Sequence, residues 1–95
     1  MISEQKPLFH LGQTVATPAA LDALIASCES PALFLDRHVR GDWGELCEED
    51  REANNQAVIH GERILSAYQT KQGVKLWVIT EANRSVTTFL LPDEY

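Results

Sequence analysis

The fold is decided by residues 63–91, which read RILSAYQTKQGVKLWVITEANRSVTTFLL. β-Branched and aromatic residues alternate here with the period of two that is typical of strands. Turn-forming residues interrupt that period at 71–73 and at 81–84, where Asn83 suits a left-handed conformation. The pattern predicts an antiparallel meander of three strands, at 63–68, 74–80 and 86–91.

Alternation along these strands assigns their side chains to two faces of the sheet. The first face carries Ile64, Ser66, Tyr68, Val74, Leu76, Val78, Val86, Thr88 and Leu90. The second carries Leu65, Ala67, Trp77, Ile79, Phe89 and Leu91. Both faces are largely apolar, so we expect helices to cover one, and either an N-terminal strand or a second copy of the chain to shield the other.

A first helix is predicted after Thr17, which suits an N-cap, and Pro18, which suits the first helical position. Its apolar face is formed by Leu21, Leu24, Ile25 and Cys28. Ser30-Pro31 ends this helix, because the residue before a proline is driven out of the α region. We interpret residues 32–35 as a short strand that leads His38 into a turn at 40–44.

A second helix is predicted from Asp42 to Gly61, with Glu45 completing a capping box and the glycine forming a left-handed cap. Its inner face is formed by Trp43, Leu46, Cys47, Asp50, Asn54, Ala57, Val58 and Gly61. Asp50 and Asn54 interrupt this stripe. Either Asp50 pairs with an arginine or backbone amides, or the helix leaves both residues at the margin of the core. Trp43 and the two cysteines are predicted to be buried.

The whole chain, residues 1–95, predicts a single α+β domain: two helices packed on a small antiparallel sheet that ends in a three-stranded meander. Residues 11–17 predict a short edge strand, and residues 1–10 a loose N-terminal arm. The chain has no apolar run of membrane-spanning length and no signal peptide, so we expect it in the cytoplasm.

Composition excludes several functions. The net charge of −6 argues against a protein that coats nucleic acid, and no direct nucleic-acid contact or membrane contact is expected. His10, His38 and His60 lie far apart and the sequence has no metal-ligand spacing, so we expect neither metal nor cofactor. Nucleophile-elbow, phosphate-loop and zinc-protease motifs are all missing from the sequence.

Four segments resemble a family of short bacterial proteins carried on plasmids and integrated mobile elements. They are residues 38–44 (HVRGDWG), 61–68 (GERILSAY), 77–88 (WVITEANRSVTT) and 91–95 (LPDEY). The resemblance covers most of the chain after Leu11. That family has no settled activity, so the resemblance implies a genetic context and no chemistry.

The helix and terminal meander also resemble, more weakly, the barnase-type ribonuclease scaffold. Such enzymes use a general base, a general acid and arginines that hold the phosphate. The resemblance implies catalytic candidates at His38, Arg63, Glu81 and Arg84, with Arg40 nearby in sequence. Two departures stand against it: the chain is acidic, and Arg84 occupies the position where a catalytic histidine would lie.

An acidic run around the start of the second helix predicts a different function. Its carboxylates are Asp42, Glu45, Glu48, Glu49, Asp50 and Glu52, and the single cation among them is Arg51. Such a surface either is merely solvated or docks a basic protein of the host or the element with salt-sensitive kinetics. We therefore expect a non-enzymatic binding or accessory protein, with the small nuclease as the alternative and a homodimer as a further option.

Overall fold

The computed structural model describes residues 6–95, so the first five residues of the predicted arm lie outside it. Within these residues the chain forms an α+β unit with three helices, four strands and a short terminal 3-10 turn. The elements are β1 Gln13–Ala16, α1 Pro18–Ser27, α2 Pro31–Val39, α3 Glu48–His60, β2 Ile64–Gln69, β3 Lys75–Thr80, β4 Val86–Leu90 and the turn Pro92–Glu94.

The strands form one sheet in the order β1-β4-β3-β2. β2, β3 and β4 pair antiparallel, which confirms the three-stranded meander. β1 confirms the predicted edge strand, but it pairs parallel with β4. The sheet is therefore mixed, because the three helices carry the chain from one edge of the sheet to the other before the meander returns it.

The prediction of two helices was wrong, since Ser30-Pro31 begins a helix rather than only ending one. α1 ends earlier, at Ser27, and Cys28 follows in the left-handed region with φ 57°. The Ser30 hydroxyl then accepts a hydrogen bond from the Ala32 amide at 3.2 Å, as the Thr17 hydroxyl does for the Ala20 amide. Residues 32–35, predicted as a strand, are consequently the first turn of α2.

Four side chains that were predicted to be buried are exposed. On α1 the buried residues are Ala20, Leu24 and Ser27, whereas Leu21 and Ile25 are exposed. Cys28 and Cys47 are both exposed free thiols, because each lies at a helix end rather than on a packed face.

α3 begins at Glu48 with Cys47 as its N-cap, six residues later than predicted for the second helix. Asp42 does not cap it: the carboxylate accepts from Arg37 at 2.7 Å and from the Gly44 amide at 3.3 Å. Residues 43–45 instead run along the outer edge of β2, where Gly44 forms a parallel bridge with Ala67. The C-terminal prediction was right, since Gly61 adopts the left-handed conformation with φ 72°.

The two polar residues on the inner stripe of α3 have different environments. Asn54 is buried, and its side-chain amide donates to the Leu65 carbonyl and accepts from the Leu65 N–H, at 2.7 and 3.2 Å. Asp50 is exposed at the margin of the core. The interpretation that the helix leaves these residues at the margin of the core is therefore right for Asp50 and wrong for Asn54.

The main core lies between α1, α2 and one face of the sheet. It contains Ala20, Leu24, Phe34, Tyr68, Leu76, Val78 and Phe89. The faces predicted for β2 and β3 are right, but those for β4 are reversed, because Phe89 pairs with Val78 and Thr87 pairs with Thr80. Val86, Thr88 and Leu90 thus lie on the opposite, outer face. In the turn before β4 it is Arg84, not Asn83, that has a positive φ.

The N-terminal segment is partly packed, and β1 extends the sheet rather than shielding its outer face. Phe9 is buried in a second core cluster with Val39, Trp43, Ala57 and Ile64, which confirms the core role of Trp43. The Leu8 amide donates to the Val39 carbonyl at 2.8 Å, so the predicted loose arm is packed against the fold at Leu8 and Phe9. No single helix within residues 6–95 is long and apolar enough to span a membrane; α1 and α2 reach that length and hydropathy only as a pair bent by 106°.

Candidate functional site

His38 lies at the centre of a buried polar network between α2 and the sheet, with 0% of its surface exposed. Its Nδ1 lies 2.6 Å from the Ser66 hydroxyl oxygen, and its Nε2 lies 2.9 Å from that of Thr80. The Thr80 hydroxyl contacts the Thr87 hydroxyl at 2.7 Å, and Thr87 donates to the Leu11 carbonyl at 2.7 Å. The network thus ties α2 to three strands and to the segment before β1.

The end of this network assigns its protons as far as the imidazole. Because Thr87 donates to a carbonyl, it must accept from Thr80, and Thr80 must then accept from Nε2 of His38. Nε2 therefore carries a proton. In the neutral imidazole Nδ1 has a free lone pair and accepts from the Ser66 hydroxyl.

The surroundings of His38 hold it in this neutral form. Burial, with a smaller contribution from the positive charge of Arg84, lowers the pKa of His38 to about 4. The rings of Phe9 and Trp43 meet the imidazole edge-on, with centroid distances of 5.1 and 6.1 Å. A histidine enclosed in this way stabilises the core and does not meet a substrate.

Arg84 joins the β3–β4 turn to the end of α3. Its guanidinium donates to the carbonyls of Glu62 at 2.7 Å, Ala57 at 3.1 Å and Glu81 at 3.2 Å, and it lies 5.5 Å from the centre of the Phe9 ring. A cation at the C-terminus of a helix also complements the helix dipole. These contacts assign Arg84 a structural role.

We expect Arg84→Met to lower the free energy of unfolding by about 2 kcal/mol, since charge-assisted hydrogen bonds to three carbonyls are lost. The free energy of unfolding of Arg84→Lys should lie between those of the wild type and of Arg84→Met. The lysine ammonium group keeps the charge but lacks the planar guanidinium that bonds to several carbonyls at once. Neither variant changes the strain of the positive φ, so the comparison isolates the side chain. Urea unfolding measures both; a change below about 0.5 kcal/mol for the methionine variant would contradict the assignment.

Arg63 and Glu81 face each other across β2 and β3 on the outer face of the sheet. Their ion pair measures 3.2 Å, and Arg63 also donates to the Tyr95 hydroxyl at 2.6 Å. Tyr95 in turn contacts Trp77 edge-on, with ring centroids 5.5 Å apart. The C-terminal residues thereby cover part of the outer face.

The four nuclease candidates do not form one open site. The structure brings Arg63 and Glu81 together, and the Arg84 guanidinium bonds to the Glu81 carbonyl, but protein acceptors engage both arginines. His38 is fully buried in the core. Arg40 pairs with Asp36 at 2.9 Å. These side chains therefore do not place an acid and a base at one open position.

The acidic residues fall into two groups. Asp42 and Glu52 have acceptor roles within the fold: Asp42 pairs with Arg37, and Glu52 accepts from Asn55 and Gln56. These bonds hold the pKa of each carboxyl below its ordinary value. The remaining carboxylates, which we call the acidic surface, are exposed and form no salt bridge with other described residues: Glu45, Glu48, Glu49 and Asp50.

A cleft of about 270 Å³ opens between the first turns of α3 and the outer face of the sheet. We call it the α3 cleft; its lining consists of Leu46, Asp50, Ala53, Asn54, Leu65 and Trp77. The half-buried Trp77 indole and two leucines supply apolar walls, and Asp50 supplies a carboxylate at the rim. The sequence did not predict this site. The feature that could have indicated it is Asp50, the carboxylate that interrupts the apolar stripe of the predicted second helix.

A wider groove of about 720 Å³ runs along residues 6–12 and Val39. Among the described residues that line it, the titratable side chains are Lys6 and His10, the aromatic ring is that of Phe9, and there is no carboxylate. No group of three or more His, Cys, Asp or Glu side chains within residues 6–95 is arranged to hold a metal ion. The α3 cleft is the site where shape and charge coincide.

Comparisons with protein-family models, with curated proteins and with solved structures return no significant match to this chain.

Proposed function

We propose that this chain is a non-enzymatic binding protein that docks a basic segment of another protein on its acidic surface. The observation that carries the proposal is the α3 cleft, which places an exposed carboxylate, Asp50, at the rim of a pocket walled by Trp77 and two leucines. The cleft distinguishes this surface from an ordinary solvated helix face, because it provides both charge and apolar area for one side chain.

A lysine or arginine side chain has the shape and chemistry that the α3 cleft accepts. Its aliphatic part would pack on Leu65 and the Trp77 ring, while its cation pairs with Asp50. The cations closest in sequence to this surface are otherwise placed: Arg51 donates to the Gly44 carbonyl at 3.4 Å, Arg40 pairs with Asp36, and Arg37 pairs with Asp42. The acidic surface therefore keeps its negative potential for a partner.

The partner follows from this chemistry and from the family resemblance. On a plasmid or an integrated element, proteins with exposed basic segments include those that bind nucleic acid, whether they belong to the element or to the host. We propose that the chain acts on such a protein in the cytoplasm. Binding of this kind associates rapidly at low ionic strength and weakens as salt screens the charges.

We expect Asp50→Lys to weaken binding of a capped peptide of alternating arginine and alanine by at least about tenfold at low salt. The substitution puts a like charge where the peptide cation would bind. Asp22→Lys, on the exposed side of α1, is the matched control, since both variants change the net charge equally. Isothermal titration calorimetry measures both dissociation constants, and equal weakening would mean that only net charge matters.

Three further variants test the binding surface and separate binding from catalysis. Trp77→Leu removes the aromatic wall and should weaken the same peptide without a change of charge. The triple variant Glu45→Lys, Glu48→Lys and Glu49→Lys should abolish binding, whereas His38→Gln should leave it unchanged. RNA cleavage by the wild type that is lost in His38→Gln would overturn the proposal.

A further inference from the structure

The two edges of the sheet are protected very differently. Along β2, the edge is covered by the chain itself: the Glu45 amide donates to the Ala67 carbonyl at 2.7 Å, and the Ala67 amide donates to the Trp43 carbonyl at 3.1 Å. Asn54 satisfies both backbone groups of Leu65 on the same edge. No outward backbone group from Leu65 to Ala67 is left to pair with another strand.

The opposite edge, β1, is open. The amides of Gln13 and Thr17 bond to β4, at the Ser85 and Phe89 carbonyls, both at 3.0 Å. Since alternate residues of a strand face the same neighbour, the N–H and C=O groups of Thr14 and Ala16 point away from the sheet. All four residues of β1 are exposed, and the strand contains no proline or charged residue of the kind that guards an edge.

The chain segment that contains β1 is also poor in charge. Residues 11–35 contain only two charged side chains, Asp22 and Glu29, in a chain whose net charge is −6. Glu94 adds one carboxylate at the end of β1, where it accepts from the Thr17 hydroxyl at 2.8 Å. Large apolar side chains of the same segment are exposed: Val15, Leu21, Ile25 and Leu33. Two identical acidic molecules repel each other least where they carry least charge, so this segment is where copies of the chain can meet.

We propose that two copies of this chain associate through β1, which pairs antiparallel with its symmetry mate and joins the two sheets into one. A second copy fits this edge because the outward groups of Thr14 and Ala16 on one strand are matched by the same groups on the other, as a two-fold contact requires. A groove of about 120 Å³ between β1 and α2, lined by Pro31, Leu35 and Phe89 among others, adds apolar surface beside the strand.

This interface goes beyond the proposed function and is independent of it. The α3 cleft adjoins β2, at the far edge of the sheet from β1. The dimer would therefore present two α3 clefts at its two ends, which would suit a partner with repeated basic segments. Loss of the dimer should leave the affinity of one cleft for a short peptide unchanged.

Sedimentation equilibrium of the intact chain tests the proposal. The wild type should reach twice the monomer mass of 10.6 kDa as its concentration rises. Val15→Lys places two ammonium groups beside the symmetry axis and should raise the dimer dissociation constant by at least about tenfold. The control is Ile59→Lys on α3, which alters another exposed apolar residue, 71% exposed, away from β1.

Amide hydrogen exchange identifies the contact itself. The amides of Thr14 and Ala16 should exchange slowly at concentrations where the dimer forms and rapidly in Val15→Lys, because only a second strand can bond them. Slow exchange confined to the dimer supports β1 pairing. A protein that stays at 10.6 kDa up to about 1 mM overturns the proposal. A dimer that Val15→Lys does not weaken, or whose two amides exchange rapidly, overturns it equally.

Discussion

Between pH 7.5 and pH 5 the free energy of unfolding of the wild-type protein should fall by about 2 kcal/mol, and this fall should be missing in His38→Gln. In the folded protein the pKa of His38 is lowered to about 4, chiefly by burial. The unfolded chain, with the ordinary pKa of 6.5, therefore binds a proton in this range that the folded protein does not. Stability is complete above pH 6.5 and is lost as the pH falls toward 4.

The pH range is chosen to exclude the carboxylates. Glu29, Asp42 and Glu52 have lowered pKa values. The stability that these carboxylates contribute is therefore lost only as the pH falls below the range of this experiment. Glutamine keeps one donor and one acceptor, so it suits the neutral network without titrating. Urea unfolding at several pH values measures the slope of the free energy of unfolding against pH. Equal slopes for the wild type and the variant would refute the assignment of a neutral, buried His38.

The sequence predicted the meander because its three strands are adjacent in the chain and their turns are short. It could not place the faces of β4, because Thr87 lies opposite Thr80 only in the register that the turn at Glu81–Ser85 imposes. Ser30-Pro31 was misread for a related reason. A serine before proline is both a poor helix interior and a good helix start, and the local signal is the same at Thr17-Pro18.

The candidate site depended on contacts that are distant in the sequence. His38 was a plausible general base while residues 32–35 were interpreted as a strand that leads into a turn. Once these residues are helical, His38 faces the sheet one turn after Phe34, and the imidazole meets two hydroxyls instead of solvent. Asp50 and Trp77 are 27 positions apart, and only the packing of α3 against β2 makes them walls of one cleft.

Gly44→Ala should destabilise the protein by about 4 kcal/mol. Gly44 has φ 78°, and a Cβ at this position would lie 1.9 Å from the Ala67 carbonyl oxygen and 2.7 Å from a ring carbon of Tyr68. The backbone would have to move away from β2. That movement breaks the hydrogen bonds from the Glu45 amide to Ala67 and from the Ala67 amide to Trp43.

Gly61→Ala is the control that separates the clash from the conformation. Gly61 has φ 72°, close to that of Gly44, but a Cβ there would meet nothing within 4 Å. Its substitution should therefore cost only the strain of a positive φ, about 1 kcal/mol. Urea unfolding of both variants gives the difference, which is the contribution of the covered β2 edge. Similar values for the two would show that residues 43–45 do not hold this edge. If the difference is as large as expected, Gly44→Ala should also weaken peptide binding, because Leu46 of the α3 cleft follows two residues later.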